Sequence, residues 1–244
     1  MTKKVANIAF ILFGFVLWEL IVTILNVQPY IFPKPSDMLS EFFDNIDIII
    51  SNTLFTLTIA IIGLLFSIVL GLIIAIIINE VKVIRNITLN ILQITQMVPI
   101  VAIAPLFAIW FGYGIMPKVT LVTFVCTFPI ILNLSDSFIN IDKDKLDDLT
   151  MLKTPLITKY IYLYIPNSAY VLFVSIKVAV TYAMISALFS EYMGSEKGLG
   201  LLLQKSLSSY NTSMVFLIIV IIIIITLLLN KVLDLIKNNV ITWS

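Results

Sequence analysis

The sequence predicts an all-α integral membrane protein with six transmembrane helices, and three observations predict it. Apolar residues make up 60% of the 244-residue chain and charged residues 12%, against roughly 45–50% and 25% in soluble domains. Mean hydropathy is +1.10. Six separate stretches approach the roughly 20 apolar residues needed to cross the hydrocarbon. A surface this poor in charge excludes a soluble enzyme. The balance of 15 basic and 14 acidic residues argues against nucleic-acid binding. There is no His, which removes the commonest general base and metal ligand. The single Cys, Cys126, can form neither an intramolecular disulfide nor a thiolate metal site, and reads as a small buried residue. No metal or cofactor is expected, and the length suits one domain, residues 1–244.

The first span is expected at residues 5–25. It follows Lys3 and Lys4 but has a long apolar stretch and no A-x-A site, so it reads as an uncleaved anchor. The second is expected at 53–78. The third, at 87–111, contains Pro99 and Pro105, which should kink a helix whose freed carbonyls neighbouring helices can absorb. The fourth, fifth and sixth are expected at 119–134, 170–189 and 214–229. Six spans put both termini on one side. Ten basic residues lie on that side (Lys3, Lys4, Lys82, Arg85, Lys143, Lys145, Lys153, Lys159, Lys231, Lys237) and four on the other (Lys34, Lys118, Lys197, Lys205). Both termini are therefore expected in the cytoplasm of a multi-pass cell-membrane protein.

One cytoplasmic loop, about residues 136–168, is too long for a plain connection. Leu146, Leu149 and Leu152 recur at helical spacing, with Asp147 and Asp148 on the polar side. Thr154-Pro155 reads as a cap residue followed by proline at the first helical position. The expected form is helix, sharp turn, helix, running through Pro166 into the fifth span. Such a helix could dock into a partner or lie on lipid.

In the fifth span Lys177 falls near mid-membrane, where a charge costs roughly 2.5–3.5 kcal/mol even on lenient scales and should face a cavity or partner. Tyr170, Phe173, Lys177, Thr181, Met184 and Leu188 share its face, with Glu191 at the outer end. Lys177, Thr181, Met184 and Glu191 are thus candidates for a translocation pathway. A Lys177 paired with backbone carbonyls or Glu19 is the alternative. Small residues on the opposite face (Ser168, Ser175, Ala179, Ser186, Ser190) suit close helix packing. Glu19 near the outer end of the first span could instead snorkel to the interface. Trp18, Trp110 and Trp243 read as interface anchors.

Several segments, in order, resemble a known family. They are Phe32-Pro33-Lys34-Pro35-Ser36-Asp37, Thr56-Leu57 with Gly63 and Gly71, Pro99 with Ala104-Pro105-Leu106-Phe107, and Trp110-Phe111-Gly112-Tyr113-Gly114 with Lys118. Phe128-Pro129-Ile130, Glu191, Gly194, Gly198-Leu199-Gly200 and Trp243 follow. The chain resembles the inner-membrane permease subunit of ABC importers, in the nitrate/sulfonate/taurine-type group. That family carries a Glu-Ala-Ala signature, a later Gly and a Leu-Pro in its cytoplasmic loop. Here these positions hold Asp147, Asp148, Leu149, Lys153 and Ile165-Pro166, so the signature is degenerate. A second-span position often basic in relatives is Ile59.

The resemblance implies the type I importer (MetI-like) permease fold with a coupling helix. It implies a second permease copy, ABC ATPase subunits on the cytoplasmic face and an extracytoplasmic solute-binding protein. Leu146, Asp147, Asp148, Leu149, Leu152, Lys153, Thr154 and Pro155 would form the ATPase coupling site. The solute would be small and polar or anionic: a sulfonate, nitrate, taurine or a thiamine-precursor pyrimidine. The Gly194–Gly200 segment would be an outer gate, a docking loop or a flexible connection. The chain has no G-x-x-x-x-G-K-[ST] phosphate loop, so ATP hydrolysis would need another subunit. A secondary transporter would need more intramembrane acids than Glu19. An intramembrane enzyme would need a nucleophile–base pair, and a structural subunit of a larger complex would not account for the ordered matches.

Overall fold

The computed structural model describes residues 2–241; Trp243, one of the expected anchors, lies outside them. The described residues are helical almost throughout. In chain order the helices are α1 (Thr2–Ile24), α2 (Pro35–Asp44), α3 (Ile46–Glu80), α4 (Lys82–Gln96), α5 (Ile100–Phe111), α6 (Ile115–Ile139), α7 (Lys143–Met151), α8 (Leu156–Lys159), α9 (Ile165–Tyr192), α10 (Leu199–Ser208) and α11 (Thr212–Val240). A π-helical turn, Tyr160–Tyr164, joins α8 to α9.

Among the described residues, four helical segments are long and apolar enough to cross a membrane alone: α3, α6, α11 and the continuous rod Leu156–Tyr192. The apolar part of α1, Leu12–Ile24, is shorter. Each of the four outruns its expected apolar window because the helix continues into polar flanks. The expected third span is not one kinked helix. Its halves, Ile87–Gln96 and Ile100–Phe111, are bent by 99°. Pro99 causes the break: it sits extended at φ −61°, ψ 130°, lacks an N–H, and pushes Val98 away from helical dihedrals. Pro105 and Pro129 lie inside α5 and α6 without ending them.

The core is built by α3, α6 and α9. Ala60, Gly63, Ser67, Gly71 and Ala75 form a buried stripe of small residues on α3. A Cβ on Gly63 would meet Val122 Cγ1 at 2.5 Å, and one on Gly71 would meet Ile130 Cγ2 at 2.6 Å. Only a bare backbone permits that approach, the usual device for packing helices in lipid. The small face expected on α9 packs as the spacing predicts, with Ser168, Ser175, Ala179 and Ser186 all buried. Cys126 is buried, and its thiol donates to Ala179 O at 3.3 Å.

Two short helices that hydropathy does not show, α2 and α10, pack at the end of the bundle where α11 begins. Pro35 opens α2, and Lys34 N–H donates to Asp37 Oδ2 at 3.0 Å. Glu19 accepts from Ser36 N–H at 3.0 Å and from Ser36 Oγ at 2.7 Å, so it ties α1 to α2. Trp18 packs against Phe32 and Phe216 rather than standing free, while Trp110 is exposed.

Candidate functional site

Glu191 lies in the last turn of α9 and is 0% exposed. Its Oε2 accepts from Thr56 Oγ1 at 2.8 Å and from Gly200 N–H at 2.9 Å. Thr56 Oγ1 in turn accepts Leu199 N–H at 2.8 Å, and Asn52 Oδ1 accepts Gly198 N–H at 2.7 Å. Asn52 and Thr56 are one helical turn apart on α3, so one face of α3 and the end of α9 hold three consecutive backbone N–H groups. Those groups open α10 and would otherwise be orphaned. Gly198 sits at φ +118°, and a Cβ there would fall 2.2 Å from the Glu191 carboxyl carbon. At Gly200 it would fall 2.1 Å from Leu188 O. The Gly194–Gly200 segment is therefore pinned from Gly198 onward, and its glycines serve fit as well as freedom.

The opposite end of α3 carries a second polar group. Thr56 and Asn79 are 23 residues apart, roughly 35 Å along a helix, which is the scale of a bilayer. Asn79 Nδ2 donates to Tyr160 Oη at 2.9 Å, and Tyr160 donates to Glu80 Oε1 at 2.8 Å. Arg85, on α4, donates to Asn79 O and Oδ1, both at 2.7 Å. Tyr160 also stacks on Tyr164 at 4.5 Å between ring centroids. This network joins the π turn to α3 and α4. The π turn itself suits Pro166, whose ring would clash in an unwidened helix.

Helix α7 begins with Asp142, whose side chain accepts Asp144 N–H at 3.1 Å. Its far end is a Schellman motif: Lys153 N–H bonds Thr150 O at 3.0 Å, and Thr154 N–H bonds Leu149 O at 3.1 Å. Lys153 stands at the left-handed position, φ +51°, which glycine normally takes. The family's Gly thus has a geometric reason, and Lys153 adopts that geometry despite its Cβ. The expectation of Thr154 as a cap residue with Pro155 at the first helical position is corrected. Pro155 is the N-cap of α8 rather than its first residue, and no side chain caps that helix.

The Leu face of α7 divides. Leu146 packs against the main core cluster, and Leu149 is half-buried. Leu152 is 75% exposed and Met151 81%. With Leu156 and Ile157, also exposed, they form an apolar patch around the turn. Asp147 and Asp148 are exposed beside it.

The pathway candidates also divide. Thr181 is exposed and Lys177 half-exposed. Met184 is 1% exposed, and both it and Glu191 are consumed by the chain's own packing. The helical face drawn from α9 alone could not show that α3 covers its outer part. Lys177 does not pair with Glu19. It donates to Asp234 on α11, where Lys237 approaches the same carboxylate at 3.8 Å and lies 5.2 Å from the Tyr170 ring centroid.

Residues 67–242 match the family model described as "Binding-protein-dependent transport system inner membrane component". The chain belongs to that family. The permease is 28% identical over 82% of its length to a probable ABC transporter permease protein of Haemophilus influenzae, covering 82% of that protein. It is 27% identical over 85% of its length to the formylaminopyrimidine transport permease protein ThiX of Halalkalibacterium halodurans, covering 83% of it. Its fold matches a chain of the inward-facing MetNI methionine ABC transporter with a TM-score of 0.66 and 15% identity. That match covers 76% of the permease and 92% of the other chain. The permease is a multi-pass membrane protein with the fold of type I importer permeases.

Proposed function

We propose that this permease works as the membrane subunit of an ATP-driven importer, with a solute-binding protein outside and ATPase subunits on the α7 face. The observation that carries the reading is the exposed apolar turn Met151, Leu152, Leu156 and Ile157, held rigidly by the Schellman motif. Leu146, Asp147, Asp148, Leu149, Lys153, Thr154 and Pro155 shape that surface; Leu152 is its exposed knob. An apolar helix end offered to water fits a groove on a partner.

The geometry supplies a route for motion. A push on α7 passes directly into the rod Leu156–Tyr192 and, through Tyr160, Asn79 and Arg85, into α4. Rigid elements joined this way shift as bodies. Lys177 and Thr181 remain candidates for a pathway between two permease copies, and a homodimer is the simplest assembly. The relative's formylaminopyrimidine favours a thiamine-precursor-like solute among the small polar and anionic candidates. The basic-residue bias supports an orientation with both termini and α7 in the cytoplasm.

The test is co-expression with a candidate ATPase and binding protein, purification, and uptake into proteoliposomes. ATP-dependent uptake is expected. Absence of ATPase from the purified complex, together with uptake that persists without ATP, contradicts the importer. Orientation is checked by cysteines placed at Asp147 and Asp44 in a Cys126→Ser background: they should label from opposite sides, Asp147 from the cytoplasm.

A further inference from the structure

Helix α4 is packed on one side and bare on the other. Thr88, Leu89, Leu92 and Thr95 are half-buried on the side that meets α3 and α6. On the bare side Val83, Ile87, Asn90, Ile94 and Met97 follow at alternating spacings of four and three residues. At the helical repeat they fall within one arc of about 80°. The four apolar members are 63% to 86% exposed, and Asn90 is exposed between them.

That alternation is the seam of two helices lying side by side, because apolar residues repeating every 3.5 positions stay turned toward a partner helix. Lipid can cover the four apolar side chains but not Asn90. The side-chain hydrogen bonds of α4 are made by Arg85 and Thr95, and among the described residues Asn90 has none. It stands roughly 12 Å along the helix from Lys82, where α4 begins, so it is no frayed end. A carboxamide left unpaired in hydrocarbon is costly, and such groups bond across helix contacts instead.

The chemistry of Asn90 selects the partner. A carboxamide donates through its nitrogen and accepts through its oxygen. Two of them facing each other across a two-fold axis satisfy one another, which a cation or a carboxylate could not do with its own copy. A single Asn within an apolar seam also fixes register and favours two strands. We propose that α4 is the contact between two copies of this permease, parallel to its mate about a two-fold axis along the membrane normal, with Asn90 bonded to the partner's Asn90. This rests on the two-copy assembly proposed above and assigns its interface.

The test is disulfide trapping in membranes that hold the permease with its ATPase subunits, in a Cys126→Ser background. Ile87→Cys, Asn90→Cys and Ile94→Cys, one at a time, should each oxidise to a permease dimer that reduction reverses. Ile91→Cys and Gln93→Cys, also exposed but about 80° to either side of the seam, should do so far less. In the Ile94→Cys chain, Asn90→Ala should cut the trapped fraction about threefold, the weight of one interhelical hydrogen bond in a membrane, and Asn90→Gln should cut it less. Asn90 bonds no side chain or backbone group of its own chain among the described residues, so both changes should leave the fold intact. A trapped fraction unchanged by Asn90→Ala overturns the carboxamide pairing. Native mass spectrometry of the purified complex counts the copies separately. Two copies with no trapping at 87, 90 and 94, or with equal trapping at 91 and 93, overturns the α4 interface and leaves the two-copy assembly standing. One copy per complex overturns both.

Discussion

The two ends of α3 solve opposite problems. At the α10 end, Glu191, Thr56 and Asn52 satisfy the opening N–H groups of α10, and Gly198 and Gly200 leave no free space. At the α7 end, a polar network around Tyr160 fixes the base of the turn, but Met151, Leu152 and Ile157 stand uncovered. One end is clamped within the chain, with only Glu191 Oε1 left unpartnered; the other leaves apolar side chains uncovered. A segment completed internally has little to gain from a partner, whereas a rigid apolar knob loses little entropy on docking. The difference fits the proposed ATPase-docking role of the α7 turn and leaves the α10 end clamped to α3 and α9.

The largest effects should come from breaking the completed end. Glu191→Ala removes the acceptor of two buried hydrogen bonds and leaves a cavity, so it should destabilise by about 2–4 kcal/mol. Gly200→Ala forces a Cβ onto Leu188 O and should cost about 1–3 kcal/mol as overpacking. Glu191→Gln keeps an acceptor and should be clearly milder than either. Thermal unfolding in detergent checks all three; equal stability of Glu191→Ala and the parent would mean that the clamp carries no load.

Next in size is Leu152→Asp. The residue is exposed in the free chain, so folding should be unaffected. Burying the new carboxylate in an apolar groove should weaken ATPase association by at least about tenfold, the equivalent of about 1.4 kcal/mol. Leu149→Asp, at a half-buried position, should lose both stability and association. The pair separates docking from folding by co-purification yield set against unfolding temperature.

Lys177→Leu should have a smaller effect on stability, because Lys237 still faces Asp234 and both partners of the pair are partly exposed. Exchanging the two charges, Lys177→Asp with Asp234→Lys, should restore whatever the single change loses. Failure of the exchange to restore it would mean that the cation at 177 acts outside the pair. The smallest change is Lys153→Gly. Relief of the left-handed strain should stabilise the turn by about 0.5–1 kcal/mol, with uptake unchanged.

Hydropathy made the long helices legible because lipid imposes one demand along the whole span. It did not distinguish three prolines: Pro99 breaks the chain direction, whereas Pro105 and Pro129 do not, and only the surrounding packing separates them. Asp234 was missed because the apolar window of the last span stops at Leu229, while α11 runs on to Val240. Glu191 was drawn on an open face because its partner Thr56 is 135 residues away. A cue did exist: Asn52 and Thr56 recur one turn apart at the start of an otherwise apolar helix, and that repeat asks for a polar neighbour. Leucine spacing showed the helix of the α7 turn, but the left-handed position that Lys153 occupies required its dihedral.

Hydrogen–deuterium exchange on the permease, free and bound to its ATPase subunits, tests the contrast most directly. The account predicts that binding slows exchange in residues 143–162. Residues 191–202 should already be slow in the free permease and stay unchanged. Slowing confined to 191–202, with none at 143–162, would contradict it.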